Sequence, residues 1–158
     1  MERHTSFEDF YRAEWASLVR AVSFTLGDRE LARDSTDEAM ARAYERWDQV
    51  AEMANPAGWT FRVAVNFARN RVRRRLIERN RPQHADGRQP DLDGVADPAV
   101  ARAVARLPLD QRAVVVLRFY LDWATDDVAA ALGIAPGTVK SRLHRGLRRL
   151  ETTLRELA

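Results

Sequence analysis

Residues 125–150 read Thr-Asp-Asp-Val-Ala-Ala-Ala-Leu-Gly-Ile-Ala-Pro-Gly-Thr-Val-Lys-Ser-Arg-Leu-His-Arg-Gly-Leu-Arg-Arg-Leu. The pattern predicts a short helix over about 125–132, a tight turn at Gly133-Ile134-Ala135, and a longer helix from 136 to about 155. Val128, Ala129 and Leu132 fall on the inner face of the first helix. Val139, Leu143, Leu147 and Leu150, at steps of four, four and three, fall on that of the second. Ala129 and Gly133 are small where two helices must approach closely. Thr138, Lys140, Ser141, Arg142, His144 and Arg145 are left facing outward near the start of the second helix. This is the pattern of a helix-turn-helix, whose second helix places its N-terminal residues in the major groove of duplex DNA. Arginine pairs with guanine edges, and Lys, Ser and Thr reach bases or phosphates, so these six residues are the candidate DNA contacts. An ordinary hairpin with a solvated face would not need the turn, the small residues and the basic face together.

Upstream, Asp97-Pro98 is a cap followed by proline at the first helical position, and Leu107-Pro108 breaks the next stretch. Helices are expected at about 98–106 and 109–121. From Asn80 to Ala96 the periodicity disappears: two Pro, two Gly and several Asp and Gln leave only Leu92 and Val95 as sizeable apolar residues, the composition of a flexible linker. Fully extended it reaches about 55 Å at ~3.3 Å per residue. The expected organisation is a first unit over 1–79, a linker over 80–96 and a second unit over 97–158, all-α throughout.

The first unit reads as a three-helix bundle. Thr5 and Ser6 offer caps to a helix that Gly27 ends; Phe7, Phe10, Tyr11, Trp15, Leu18, Val19, Val22 and Leu26 form its apolar stripe. Asp28 caps a second helix to about Gln49, with Leu31, Ser35, Ala39, Ala43 and Trp47 on one face. Residues 48–55 are expected to be a loop. Asn55-Pro56 then starts a third helix to about Arg79, with Trp59, Val63, Phe67, Val72 and Leu76 on one side and Arg62, Asn66, Arg69 and Arg73 on another.

The net charge of +3 hides a segregation. Residues 1–55 carry −5, residues 56–81 carry +7, residues 82–97 carry −3 and residues 98–158 carry +4. Two basic blocks separated by an acidic one suggest two surfaces that face a polyanion. In the third helix Arg69, Arg71, Arg73, Arg74 and Arg75 crowd within two turns, where a counter-anion would relieve their repulsion. Asn66 and Asn70 add base-pairing groups. Such a run alone is usually a solvated face; beside a helix-turn-helix it reads as a second DNA surface of Arg62, Asn66, Arg69, Asn70 and Arg73. The acidic second helix, with Asp34, Asp37 and Glu38, would repel DNA and is better suited to a protein partner.

Residues 107–150, and above all Gly137-Thr138-Val139-Lys140-Ser141-Arg142-Leu143-His144-Arg145, resemble region 4 of sigma-70 factors of the extracytoplasmic-function class. Residues 7–75, through Pro56, Trp59, Arg62, Val63, Ala64, Asn66 and Asn70, resemble region 2. The resemblance implies a factor that binds core RNA polymerase and directs promoter recognition and melting. The helix 136–150 would read the −35 element. The third helix and the 48–55 loop would open the −10 element, the loop taking a flipped base at a cost of a few kcal/mol. Asp34, Asp37 and Glu38 on helix 28–49 would dock on the clamp helices of the β′ subunit, and helix 109–121 would meet the β flap. Many members of that family are held inactive by an anti-sigma factor, so such a partner is one the resemblance raises. Two positions depart from the pattern. The polymerase-binding helix commonly reads Asp-x-x-Gln-Glu-x-Phe, where this chain has Asp34-Ser35-Thr36-Asp37-Glu38-Ala39-Met40; and the serine that usually caps the first helix of the DNA reader is Ala124, with Thr125 one position later.

A plain helix-turn-helix regulator with a sensing or dimerising N-terminal bundle is the competing reading, but such a bundle has no need of a cationic, Asn-bearing helix. An enzyme is not expected: no paired carboxylates sit in a catalytic context, Ser, His and Asp lack triad-like order, and no phosphate loop is present, so no catalytic residue is assigned. The chain has no cysteine, and His4, His84 and His144 are scattered, so neither a disulfide framework nor a metal site nor any cofactor is expected. The N-terminus lacks an apolar signal-peptide core and no run approaches the ~18 residues of a membrane span, so a cytoplasmic protein without membrane insertion is expected.

Overall fold

The computed structural model describes residues 3–79 and 97–158. The described residues are helical, with no strand among them. The expected linker, residues 80–96, lies outside the described residues.

The first helix, α1 (Phe7–Leu26), starts where Ser6 accepts a hydrogen bond from the Asp9 amide and ends at Gly27 in the left-handed region. Asp28 caps α2 (Arg29–Glu45) by accepting from the Leu31 amide at 3.0 Å. The second helix is shorter than its sequence suggests. It breaks at Arg46, and a separate turn of helix, α3 (Trp47–Ala51), occupies the first half of the expected loop. Only residues 52–55 then connect to α4 (Pro56–Arg79), whose Asn55 cap accepts from the Gly58 amide at 2.9 Å.

The inner face of α4 also differs from expectation. Ala57, Phe61, Ala64, Val65 and Ala68 are its buried apolar side chains, while Val72 and Leu76 are exposed. The expected stripe of Trp59, Val63 and Phe67 lies at the edge, half-buried. Alternating small residues let α4 sit close to α1 and α2, where Phe10, Leu18, Val22, Ala39 and Met40 meet it. Met40 stands where the family commonly has Phe and is itself buried, an adaptable side chain filling the same space.

The second helical group comprises α5 (Pro98–Ala105), α6 (Leu109–Val115), α7 (Thr125–Leu132) and α8 (Pro136–Leu157). α6 continues into a π-helical segment, Val116–Tyr120, which no feature of the sequence announces. α7 begins at Thr125 with Ala124 in the cap position, and no side chain caps it; Thr125 does not take over the role. Gly133 closes α7 at φ +65°, a left-handed conformation that glycine adopts without strain. Val128, Ala129, Val139 and Leu150 are buried as expected, Leu132 and Leu143 are half-buried, and Leu147 is exposed.

The two groups pack on each other around one continuous core. Phe10, Phe61 and Val22 from the first group belong to the same apolar cluster as Val114, Leu117, Val128 and Val139 from the second. The Phe24 ring meets Tyr120 edge-on at 4.9 Å, which explains why Phe24 is buried although it lies off the α1 stripe. Arg112 crosses the junction, donating to the Thr25 carbonyl at 2.7 Å and to the Ala105 and Leu107 carbonyls at 2.9 and 2.8 Å. It thereby satisfies one of the carbonyls left over at the end of α1, with a cation at the negative end of that helix. Burial holds the Arg112 guanidinium below its ordinary pKa.

Candidate nucleic-acid interface

The start of α8 presents the residues singled out in the sequence, though not equally. Lys140, Ser141, His144 and Arg145 are exposed, whereas Thr138 and Arg142 are half-buried. The hydroxyl of Ser141 donates to the Thr138 carbonyl at 3.1 Å, and Arg145 Nε donates to the Ser141 carbonyl at 3.3 Å. Arg142 is held by Asp110 of α6, Nε to Oδ2 at 3.7 Å. Arg148 and Arg149 extend the exposed basic face one turn further, continuing the same charge.

α4 carries a second cationic track. Asn66, Arg69, Asn70 and Arg73 are exposed, together with Arg74 and Arg75. Arg71 instead turns to α2 and pairs with Asp34 at 3.4 Å. Arg62 is half-buried and lies against the helix-turn-helix: a Cβ on Gly133 would fall 2.5 Å from Arg62 Nη1. A cleft of about 210 Å³ runs along this contact, lined by Arg62, Asn66 and Arg69 of α4, Asp110 of α6, Leu132 of α7 and Arg142 of α8. The structure thus brings candidate residues of both DNA surfaces to one place.

The three acidic candidates of α2 all have partners within the chain. Asp34 pairs with Arg71, Asp37 accepts from the Trp15 indole at 2.8 Å, and Glu38 pairs with Arg42 at 3.2 Å. Asp37 stands where the family commonly has Gln, and the indole N–H gives its carboxylate a use. Where α1 meets the second group lies an apolar groove of about 430 Å³, walled by Phe24 of α1 and by Val104, Val116, Phe119, Tyr120 and Leu147. Phe119 is 57% exposed there. Neither this groove nor the Arg112 bridge was visible in the sequence, because both depend on which helices become neighbours. Among the described residues, no helix is long and apolar enough to cross a membrane.

Comparison with known proteins places this geometry. Residues 7–76 match the family model described as Sigma-70 region 2, and residues 98–150 match Sigma-70, region 4. The ECF RNA polymerase sigma factor SigL of Mycobacterium tuberculosis is 37% identical over 155 residues, covering 93% of this chain and 88% of that protein. The chain belongs to the sigma-70 family, in its extracytoplasmic-function (ECF) branch. The RNA polymerase sigma-E factor of Streptomyces coelicolor is 35% identical over 152 residues, with 94% of this sigma factor and 85% of the relative covered. Among solved structures, the sigma factor RpoE of Bartonella quintana, in complex with the anti-sigma factor NepR, aligns at a TM-score of 0.75 and 25% identity over 94% of this chain and 98% of that one. Coverage on that scale takes in both helical groups of this sigma factor.

Proposed function

We propose that this sigma factor binds core RNA polymerase and directs it to promoters with two DNA-reading modules, residues 1–79 and 97–158, joined by residues 80–96. α8 reads the −35 element through Thr138, Lys140, Ser141, Arg142, His144 and Arg145. α4 engages the −10 element through Arg62, Asn66, Arg69, Asn70 and Arg73, and the segment 48–55, most of α3 with the connection after it, takes a base flipped from the opened strand. The observation that carries this reading is that one chain presents two cationic helical faces, on α4 and on α8, in two different helical groups. A regulator with a sensing bundle would need only the second.

Asp34, Asp37 and Glu38 on α2 dock on the β′ clamp helices. Their internal pairs with Arg71 and Arg42 are exposed ones, each worth about 0–1 kcal/mol, so a partner's cations can replace them at little cost. The apolar groove beside Phe119 offers the β flap a place to seat against α6 and the π-helical segment. The factor acts in the cytoplasm, where its polymerase is, and has no catalysis of its own. An anti-sigma factor is a further partner, supported by the likeness to a sigma factor in complex with one.

Purified protein added to sigma-free core polymerase should yield run-off transcripts from promoter fragments of the source genome. Retained duplex binding without core binding would favour the stand-alone regulator.

A further inference from the structure

We infer that the groove between α1 and α2 binds a small phosphorylated ligand, its phosphate held by Arg20 and Arg33 over the hydroxyl of Ser23. Such a site goes beyond promoter and polymerase binding, and it lies on neither of the cationic tracks of α4 and α8.

The groove forms where the chain turns back at Gly27 and Asp28, so that the end of α1 and the start of α2 pack side by side. Ala16, Val19, Arg20 and Ser23, at steps of three, one and three, fall on one stripe of α1. Arg29 and Arg33, one turn apart on α2, face them across a cleft of about 200 Å³. The small side chains of Ala16 and Ser23 leave that space open. Trp15 also lines the cleft, and its ring is already engaged. The Arg33 guanidinium lies over it at 5.7 Å, Tyr11 stacks beside it at 6.2 Å, and its N–H donates to Asp37 at 2.8 Å.

Two independent observations distinguish this groove from a solvated basic face. The first is charge. Three guanidiniums line one small cleft, and among the described residues neither Arg20 nor Arg33 has a carboxylate partner. An anion between them relieves their repulsion, and the guanidinium fork matches the oxygens of a phosphate. The second is Ser23. It is 4% exposed, it lines the cleft, and its hydroxyl has no hydrogen-bond partner. Helical hydroxyls elsewhere bond the carbonyl four residues back, as Thr25 does to Ala21 at 2.8 Å and Thr60 to Pro56 at 2.9 Å. Ser35 and Thr36 are unpartnered too, but both are wholly enclosed. A phosphate oxygen entering the groove gives Ser23 the acceptor it lacks, and the hydroxyl hydrogen rotates to meet it. A phosphate monoester has three outer oxygens, enough for Arg20, Arg33 and Ser23 at once, where a carboxylate has two. The rest of the ligand lies against Ala16 and Val19. With Arg33 and Tyr11 already on the Trp15 ring, a short carbon chain fits there better than a nucleotide base that needs a ring to stack on.

Glycerol 3-phosphate titrated into the full chain, followed through the backbone amide and indole signals of its nitrogen-15 NMR spectrum, tests the site. The signals of Arg20, Ser23 and Arg33 and the Trp15 indole should move together and saturate with one dissociation constant. Those of the α4 and α8 tracks should only drift with concentration, as screened surface charge does. Ser23→Ala removes an unpartnered hydroxyl and keeps a good helix former, so it should fold as before and bind about tenfold more weakly. Arg20→Gln with Arg33→Gln should abolish saturation. Inorganic phosphate should compete for the same signals, and a glutamate-rich peptide should not. Drift without saturation at the groove would overturn the inference. So would an unchanged affinity in Ser23→Ala, or a peptide that displaces the glycerol 3-phosphate. None of these results bears on promoter recognition, which run-off transcription tests separately.

Discussion

Arg142 shows how a residue's role depends on more than its place in a motif. The sequence puts it on the outer face of the recognition helix, yet the structure holds it half-buried against Asp110, 3.7 Å away. A guanidinium steadied by a neighbouring carboxylate has less freedom to lose on meeting a guanine edge. Arg142→Ala should weaken promoter binding by about 1–3 kcal/mol while leaving core polymerase binding intact, measured by fluorescence anisotropy on each partner. Equal loss on both would contradict the division of labour between α8 and α2. Arg112 is the opposite case, with nothing in the sequence to distinguish it from its arginine neighbours. Arg112→Met leaves three backbone carbonyls without their donor and should cost about 1–3 kcal/mol in a urea unfolding titration. Arg62 stands between these cases: its side of α4 was readable, but its seat on Gly133 was not, because that glycine lies in another module.

Helix starts were readable wherever a capping side chain precedes a proline or an apolar run, because the cap acts within three residues of itself. Asn55-Pro56 and Asp97-Pro98 begin α4 and α5, Asp28 begins α2, and Gly133 ends α7. The misread elements lack such local chemistry. The break at Arg46 interrupts an otherwise continuous helical pattern, and the π-helical turn at 116–120 follows an unbroken apolar run. The inner face of α4 is not marked by its large residues, Trp59, Val63 and Phe67, which lie at its edge. The close packing uses Ala57, Ala64 and Ala68 beside Phe61 and Val65. The uncapped start of α7 offers a test. Ala124→Ser supplies the missing acceptor and should raise stability by about 1 kcal/mol, seen as an upward shift of the thermal midpoint. No change would mean that the amides of the first turn are already satisfied.

The two groups of helices, and their resemblance to regions 2 and 4, were readable because each carries its own pattern. Their packing on each other was not, since patterns repeating every three or four residues say nothing about partners eighty residues away. Phe24 and Tyr120 illustrate the point, each completing a contact that its own module does not need. A closed chain of 158 residues should have a radius of gyration of about 15 Å in small-angle scattering. A clearly larger value for the free protein would mean that the modules are already apart. Promoter affinity should also fall steeply with salt, by about one unit of log–log slope for each phosphate that the two tracks neutralise.

The most direct test follows the distance between the modules as the protein works. Dyes on Thr5→Cys and Glu156→Cys, both exposed positions, report it by energy transfer. Transfer should be high in the free chain and should fall sharply when core polymerase and promoter DNA are added together. Unchanged transfer in a complex that is actively making transcripts would contradict the account, since the two readers would then never separate to hold the two elements.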